Sequence, residues 1–403
     1  MSDTKEALLH TLSRMESLGS MKTQGKRELT DLEKADCLTG TMMGGIALKS
    51  PHFGQGKRRR LIFDDRDCHY HAISRICGGD LLFGDVEKEA FRKLMRRMEL
   101  FCCVEVQNFT VMGNHFHLLV RVPERAKVLA KFLKGTASER EEKLLEHLKL
   151  LYSRAYLKQL RAELEVMRKK KLDDLYEKTI NSYLDRFCSL ERFMKELKER
   201  FSRWFNKRHG RRGTLWQERY RSILVEDGEA LRTISAYIDL NPVRAGLVDD
   251  PKDYRWCGYA EALGGSKRAR KALCRVLGVA MDSWNTGGRD AYRSFLLGEG
   301  IEAGEAEKDR KGVNGAFLKR GFDRKKALEE LQGGGSLSRG ELVRLRVRYF
   351  SDGLVLGSRA FVEEAFQEKR EWFGERRKTG ARSLPVSGGG LYSLRRLKEE
   401  VRE

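Results

Sequence analysis

Val111-Met112-Gly113-Asn114-His115-Phe116-His117-Leu118-Leu119-Val120-Arg121-Val122 decides how the rest of the chain is read. With a period of two, it is a strand with His115 and His117 on one face and Phe116, Leu118, Val120 and Val122 on the other. The apolar face packs, and the other presents two imidazoles one pleat apart. Held on a rigid support, such a pair converges on one metal ion and leaves coordination positions open to a phosphate oxygen. The pattern alone is weak, because a strand histidine is ordinarily a satisfied, partly buried residue. Two other metal uses of it lose ground. A nucleotide-hydrolase histidine triad wants a third His where Leu119 stands, and the amidohydrolase pattern wants histidines downstream, where only His147 and His209 follow in charged surroundings. His69-Tyr70-His71 is a second pair, but no turn presents it and no ligand-like partner is evident.

Outward from the histidine strand, Cys68 to Ile76 reads as a strand closed by Gly78-Gly79. Val86 to Leu100 has helical spacing, with Phe91, Leu94, Met95 and Met98 apolar. Cys102 to Met112 is strand-like, with a parity shift that predicts a bulge near Gln107-Asn108, and Gly113-Asn114 makes the turn. Strand, helix and antiparallel hairpin predict an α+β fold: a ferredoxin-like, RRM-like antiparallel sheet with helices on one face. Ser138-Glu139-Arg140-Glu141 reads as a capping box opening a helical insertion over 138–188. Ser189 caps a further helix striped with Phe193, Leu197, Phe201, Trp204 and Phe205. Asp227 is the expected cap of a helix whose Leu231, Ile234 and Ile238 face the core, with Tyr237 and Asn241 aligned on its flank and Pro242 as its stop.

Lys and Arg number 80 against 59 Asp and Glu, a formal net charge of +21 with pI near 9.6, which points to a polyanionic partner, nucleic acid first. No apolar run approaches the ~18 residues of a spanning helix and no signal peptide opens the chain, so membrane association is not expected and a cytoplasmic protein is. The 8 cysteines form no Cys-x-x-Cys pair and read as reduced thiols. Asn206 to Gly213 is a basic loop with Arg211 and Arg212. Thr214 to Val225 reads as a strand in which Trp216, Arg219, Tyr220 and Arg221 alternate aromatic and cationic groups, as single-stranded nucleic acid binding favours. Trp216 is read either as core or as a base-stacking platform.

In order, Tyr70-His71-Ala72-Ile73-Ser74-Arg75, Val111-Met112-Gly113-Asn114-His115-Phe116-His117, Trp204-Phe205-Asn206, Gly213-Thr214-Leu215-Trp216-Gln217-Glu218-Arg219-Tyr220 and Tyr237-Ile238-Asp239-Leu240-Asn241-Pro242-Val243-Arg244-Ala245-Gly246 resemble the REP-associated tyrosine transposases, members of the single-tyrosine HUH transposases. The resemblance spans about residues 60 to 262. It implies His115 and His117 as metal ligands, Asn241 as a third, Tyr237 as nucleophile and Mg2+ or Mn2+ as the ion. The expected partner is single-stranded DNA with hairpin repeats, and Arg75, Arg211, Arg212, Trp216, Arg219, Arg221 and Arg244 are its expected contacts. Gly113 stands where family members often have Pro.

The expected domains are a mobile basic arm over 1–60, a catalytic domain over 61–262 and a basic helical C-terminal extension over 263–403. Glu341 to Phe350 and Gly357 to Gln367, about a Ser351-Asp352-Gly353 turn, read as a helix-turn-helix or as a helical hairpin packed on the catalytic domain or on the partner in a homodimer. The leading function is a metal-dependent single-stranded DNA endonuclease and transferase working through a 5′-phosphotyrosine. The alternatives are a catalytically idle DNA- or RNA-binding protein derived from a transposase and a metal phosphodiesterase that uses water.

Overall fold

Alternation builds the sheet. Cys68–Arg75 (β1) is followed by helix Asp85–Phe101 (α1) and by a hairpin of Glu105–Val111 (β2) and His115–Val122 (β3). The computed structural model describes residues 60–298, 349–384 and 390–394, so the N-terminal arm and most of the first tail helix lie outside the described residues. β3 pairs antiparallel with β1 and β2, and the β2–β3 register shifts between Val106 and Asn108, the bulge that the parity change predicts. The Met112 amide donates to the His115 carbonyl at 2.8 Å and closes the turn.

Helices Arg125–Leu133 (α2), Ala137–Leu148 (α3), Arg154–Lys169 (α4) and Asp173–Leu184 (α5) come next. The capping box is Thr136 with Glu139, two residues earlier than Ser138 and Glu141. The helical insertion is made of separate helices, because Ser153 caps α4 and starts it afresh. The long helix Leu190–Arg208 (α6) leads through an irregular segment to Arg221–Val225 (β4), antiparallel to β1.

After β4 come Glu229–Asp239 (α7), Asn241–Arg244 (α8), Gly258–Leu263 (α9), Lys267–Leu277 (α10) and Gly288–Gly298 (α11). The described tail adds Tyr349–Asp352 (α12), Val355–Gly357 (β5), Arg359–Glu368 (α13), Arg382–Ser383 (β6) and Tyr392–Leu394 (β7). The sheet order is β2-β3-β1-β4-β5-β7-β6, antiparallel except for the β4–β5 pair.

The α+β class and the antiparallel sheet are as expected, but helices cover both faces of the sheet. One core joins Phe116, Leu118 and Val120 of β3 to Phe91 and Met95 of α1 and to Phe193 and Phe201 of α6. The other joins Leu119 of β3 and Ile223 of β4 to Leu231, Ile234 and Ile238 of α7 and Leu273 of α10. Leu119 and Ile223 make the second face apolar enough to need its own helical cover.

The tail also departs from expectation. Between α12 and α13 stands a strand where the helix-turn-helix reading puts a glycine turn. Leu354-Val355-Leu356 is an apolar run that completes the open edge of β4. The Leu224 and Glu226 amides donate to the Leu354 and Leu356 carbonyls at 2.8 and 2.9 Å. Ser358, which the helix-turn-helix reading puts at the start of its second helix, caps α13 and donates its hydroxyl to the Glu226 carboxylate at 2.9 Å. These residues therefore belong to the sheet that carries the histidines. No helix among the described residues is long and apolar enough to cross a membrane.

Candidate active site

The β-sheet face that carries His115 and His117 also carries His71. Opposite-strand register pairs Ile73 with His117 and His71 with Leu119, so His71 reaches diagonally toward His117. The His71 Nε2 and His117 Nδ1 atoms are 2.8 Å apart. The two rings lie 5.1 Å apart between centroids, and both are buried. His71 Nδ1 lies 2.9 Å from the main-chain carbonyl of Phe350, which comes from α12, 279 residues later. Burial pushes the His71 imidazolium down to about 3, against a partial rise from the Phe350 carbonyl. Burial, then the nearby His71 and His115, hold His117 well below the ordinary histidine range. Both rings are neutral at physiological pH.

On β3, His115 Nδ1 lies 2.6 Å from Oδ1 of Asn114, whose amide nitrogen donates to the Gly79 carbonyl at 2.7 Å. That second bond fixes which way the Asn114 amide points. His115 Nδ1 must then carry the hydrogen, and its lone pair sits on Nε2.

Tyr237 arrives from α7. That helix opens at Gly228, whose φ of 84° favours glycine, and Asp227, the expected cap, accepts from the Gly228 amide instead of capping the first turn. α7 is docked by polar groups of β2. The Thr110 hydroxyl donates to the Ile238 carbonyl at 2.7 Å, and the Asn108 amide nitrogen reaches Asp239 Oδ2 at 2.7 Å and the Ser235 hydroxyl at 2.8 Å. The Tyr292 hydroxyl of α11 donates to the same Asp239 oxygen at 2.6 Å. Burial raises the Asp239 carboxyl to about 6, with Tyr292 and Asn108 opposing the rise. A β-carbon on Gly258 would lie 2.0 Å from Asn108 Oδ1, so glycine is required where α9 meets the bulge.

Docked this way, Tyr237 is 5% exposed, with His117 edge-on at 5.9 Å and His71 at 6.1 Å between ring centroids. The Phe350 ring packs at 5.1 Å, and the Arg244 guanidinium lies 4.0 Å from the tyrosine centroid and donates to its carbonyl at 2.6 Å. Asn241, half-buried, opens α8 one turn beyond Tyr237; Pro242 falls in the first turn of this short helix, which resumes directly after α7. Among the described residues no three His, Cys, Asp or Glu side chains are grouped to hold a metal.

The expected DNA-contacting residues fall into three groups. Arg244 joins the tyrosine. Arg75, Arg211, Arg212 and Arg219 are exposed, Arg219 within 3.8 Å of Glu191, and Arg221 is half-buried and pairs with Glu218 at 3.0 Å. Trp216 is no stacking platform: its indole is buried edge-on to Phe83 and Phe116 and donates to the Lys198 carbonyl at 3.1 Å. The segment before Arg221 is irregular, meeting the end of β1 through an Ile76–Trp216 bridge and a Gln217 amide that donates to the Arg75 carbonyl at 3.0 Å, so its expected alternation does not form. Sequence reasoning set His71 aside and missed Phe350. The β1–β3 register would have revealed the histidine; nothing local marks the phenylalanine.

The description "Transposase IS200 like" belongs to a family model that matches residues 183–241, from the end of α5 through Tyr237 to Asn241. Over those residues the chain is similar to the IS200-like transposases. The transposase match ends on the residue one helical turn past the tyrosine and leaves β3 outside it. A solved REP-associated tyrosine transposase bound to a REP hairpin is similar at 12% identity and a TM-score of 0.30, over 52% of this chain and 86% of that one. No curated protein matches the chain.

Proposed function

We propose that the chain is a divalent-metal-dependent endonuclease and strand transferase for single-stranded DNA at hairpin-forming repeats, with Tyr237 as nucleophile. The observation that carries this is the approach of the Tyr237 ring to His117, 5.9 Å between centroids, on a buried histidine face. The donor set suits Mg2+ or Mn2+: His115 has its lone pair on Nε2, its other nitrogen being tied to Asn114, and His117 and the Asn241 amide complete a mixed nitrogen and oxygen set. Such an ion, held by His115, His117 and Asn241, supplies charge that polarises the scissile phosphate.

The remaining work falls to the chain's own groups. The Tyr237 oxygen attacks phosphorus, a phosphotyrosyl bond forms, the bond to the 3′ oxygen breaks, and that oxygen leaves as a hydroxyl after taking a proton. Because one phosphodiester replaces another, a second 3′-OH reverses the step and joins strands without a nucleotide cofactor. Arg244, beside the tyrosine, is the cation type that pairs with a phosphate through a planar fork. The exposed Arg75, Arg211, Arg212 and Arg219 supply salt-sensitive phosphate contacts.

A second reading, an idle nucleic-acid-binding protein, draws on the 5% exposure of Tyr237. Cleavage of hairpin oligonucleotides with Mn2+ separates the two. Tyr237→Phe is expected to abolish cleavage and leave binding within a few-fold, since only the nucleophilic oxygen is lost. Cleavage retained by this variant, or no cleavage by the wild-type chain, contradicts the proposal.

A further inference from the structure

The histidine that sequence reasoning set aside has a definable task. A main-chain carbonyl only accepts hydrogen bonds, so the 2.9 Å contact between His71 Nδ1 and the Phe350 oxygen requires the hydrogen on His71 Nδ1. In a neutral ring the other nitrogen, Nε2, is then an acceptor. It faces His117 Nδ1 at 2.8 Å, so His117 must donate there and holds its lone pair on Nε2. On the same face, His115 is set to the same tautomer by Asn114. We infer that His71 is a positioning residue which, anchored on the Phe350 carbonyl, locks His117 in the Nδ1–H tautomer and turns its Nε2 lone pair toward the metal position. This rests on the proposed function, in which His117 is a ligand.

The inference gives the tail a part in the site. Phe350 holds His71 with its carbonyl and packs its ring on Tyr237, so a single residue sets both the ligand and the nucleophile. β5, on the edge of β4, fixes where that carbonyl sits. His71 itself serves as no ligand, because its Nε2 is taken up in accepting from His117.

The test uses the full chain labelled with 15N-histidine, metal-free, with the His117 signals assigned by their loss in His117→Gln. Long-range 15N–1H correlation should show His117 protonated at Nδ1, and protonation at Nε2 overturns the inference. In parallel, Mn2+ binding is titrated calorimetrically. His71→Phe, which fills the space but cannot accept, should weaken Mn2+ by roughly 10–100-fold, the usual effect of losing a group that orients a ligand. His71→Gln, whose carbonyl can accept from His117 while its amide donates to Phe350, should recover most of that loss. Unchanged Mn2+ affinity in His71→Phe, with binding lost in His117→Ala, overturns the inference and leaves the metal site standing. Unchanged affinity in His117→Ala as well removes the metal site itself. If His71→Phe does not fold, the wild-type tautomer and the Gln variant still decide.

Discussion

The two faces of one hairpin differ in kind. On one, Phe116, Leu118 and Val120 meet Phe91, Met95 and Phe201, and hydrocarbon packs on hydrocarbon. On the other, taken from the alternate residues of the same strands, Asn108, Thr110, His115 and His117 are buried among groups that each need a particular partner. The first face tolerates any arrangement that fills volume. The second fixes α7 in one register, because Thr110 must find the Ile238 carbonyl and Asn108 the Asp239 carboxylate. Both sides bury an apolar core, and the polar pairs that set position are concentrated on the second.

That contrast sets the size of mutational effects. Phe116→Ala should have the largest, about 3–5 kcal/mol of unfolding free energy for emptying a fully buried aromatic site. Urea denaturation measures it, and a loss under about 1 kcal/mol would mean that the Phe116 site is not tightly packed. Asp239→Ala should cost less, roughly 2–3 kcal/mol, by stranding the buried Asn108 amide and Tyr292 hydroxyl. Asp239→Asn should cost less again, since its oxygen still accepts. Equal losses in the two variants would show that volume and not hydrogen bonding matters there.

The smallest effect concerns Lys198 on the hydrocarbon side, whose ammonium donates to the Glu218 carbonyl at 2.8 Å. Burial, reinforced by the Arg60 cation, pushes its pKa from 10.5 down to about 8. Between those values the folded chain binds fewer protons than the unfolded one, so this group makes stability rise with pH, by at most about 1.4 kcal/mol per pH unit. Thermal melts at pH 8 and 10 should show that gain reduced in Lys198→Met; an identical pH response in both chains would remove this term.

The same contrast explains what could be read from the sequence. The hairpin, the bulge at Asn108 and the apolar stripes of α1, α6 and α7 follow from local alternation and helical spacing. The approach of Tyr237 to the histidine strand came from a motif order and not from spacing. His71 and Phe350 were out of reach, because their link depends on strand register and on a contact spanning 279 residues. Of the two readings of Trp216, the structure takes the core: its basic neighbours are exposed, while the indole turns inward onto Phe83 and Phe116. In the tail, helical spacing concealed an apolar run that the open edge of β4 converts to a strand.

The most direct test is to identify the tyrosine that takes the DNA. Full-length protein is incubated with a single-stranded hairpin oligonucleotide and Mn2+, digested with nuclease and trypsin, and analysed by mass spectrometry. The account predicts a nucleotide-bearing peptide running from Thr233 to Arg244, modified on Tyr237, its only tyrosine. A modification on Tyr220, Tyr254 or Tyr259, or cleavage with no covalent peptide at all, would contradict it.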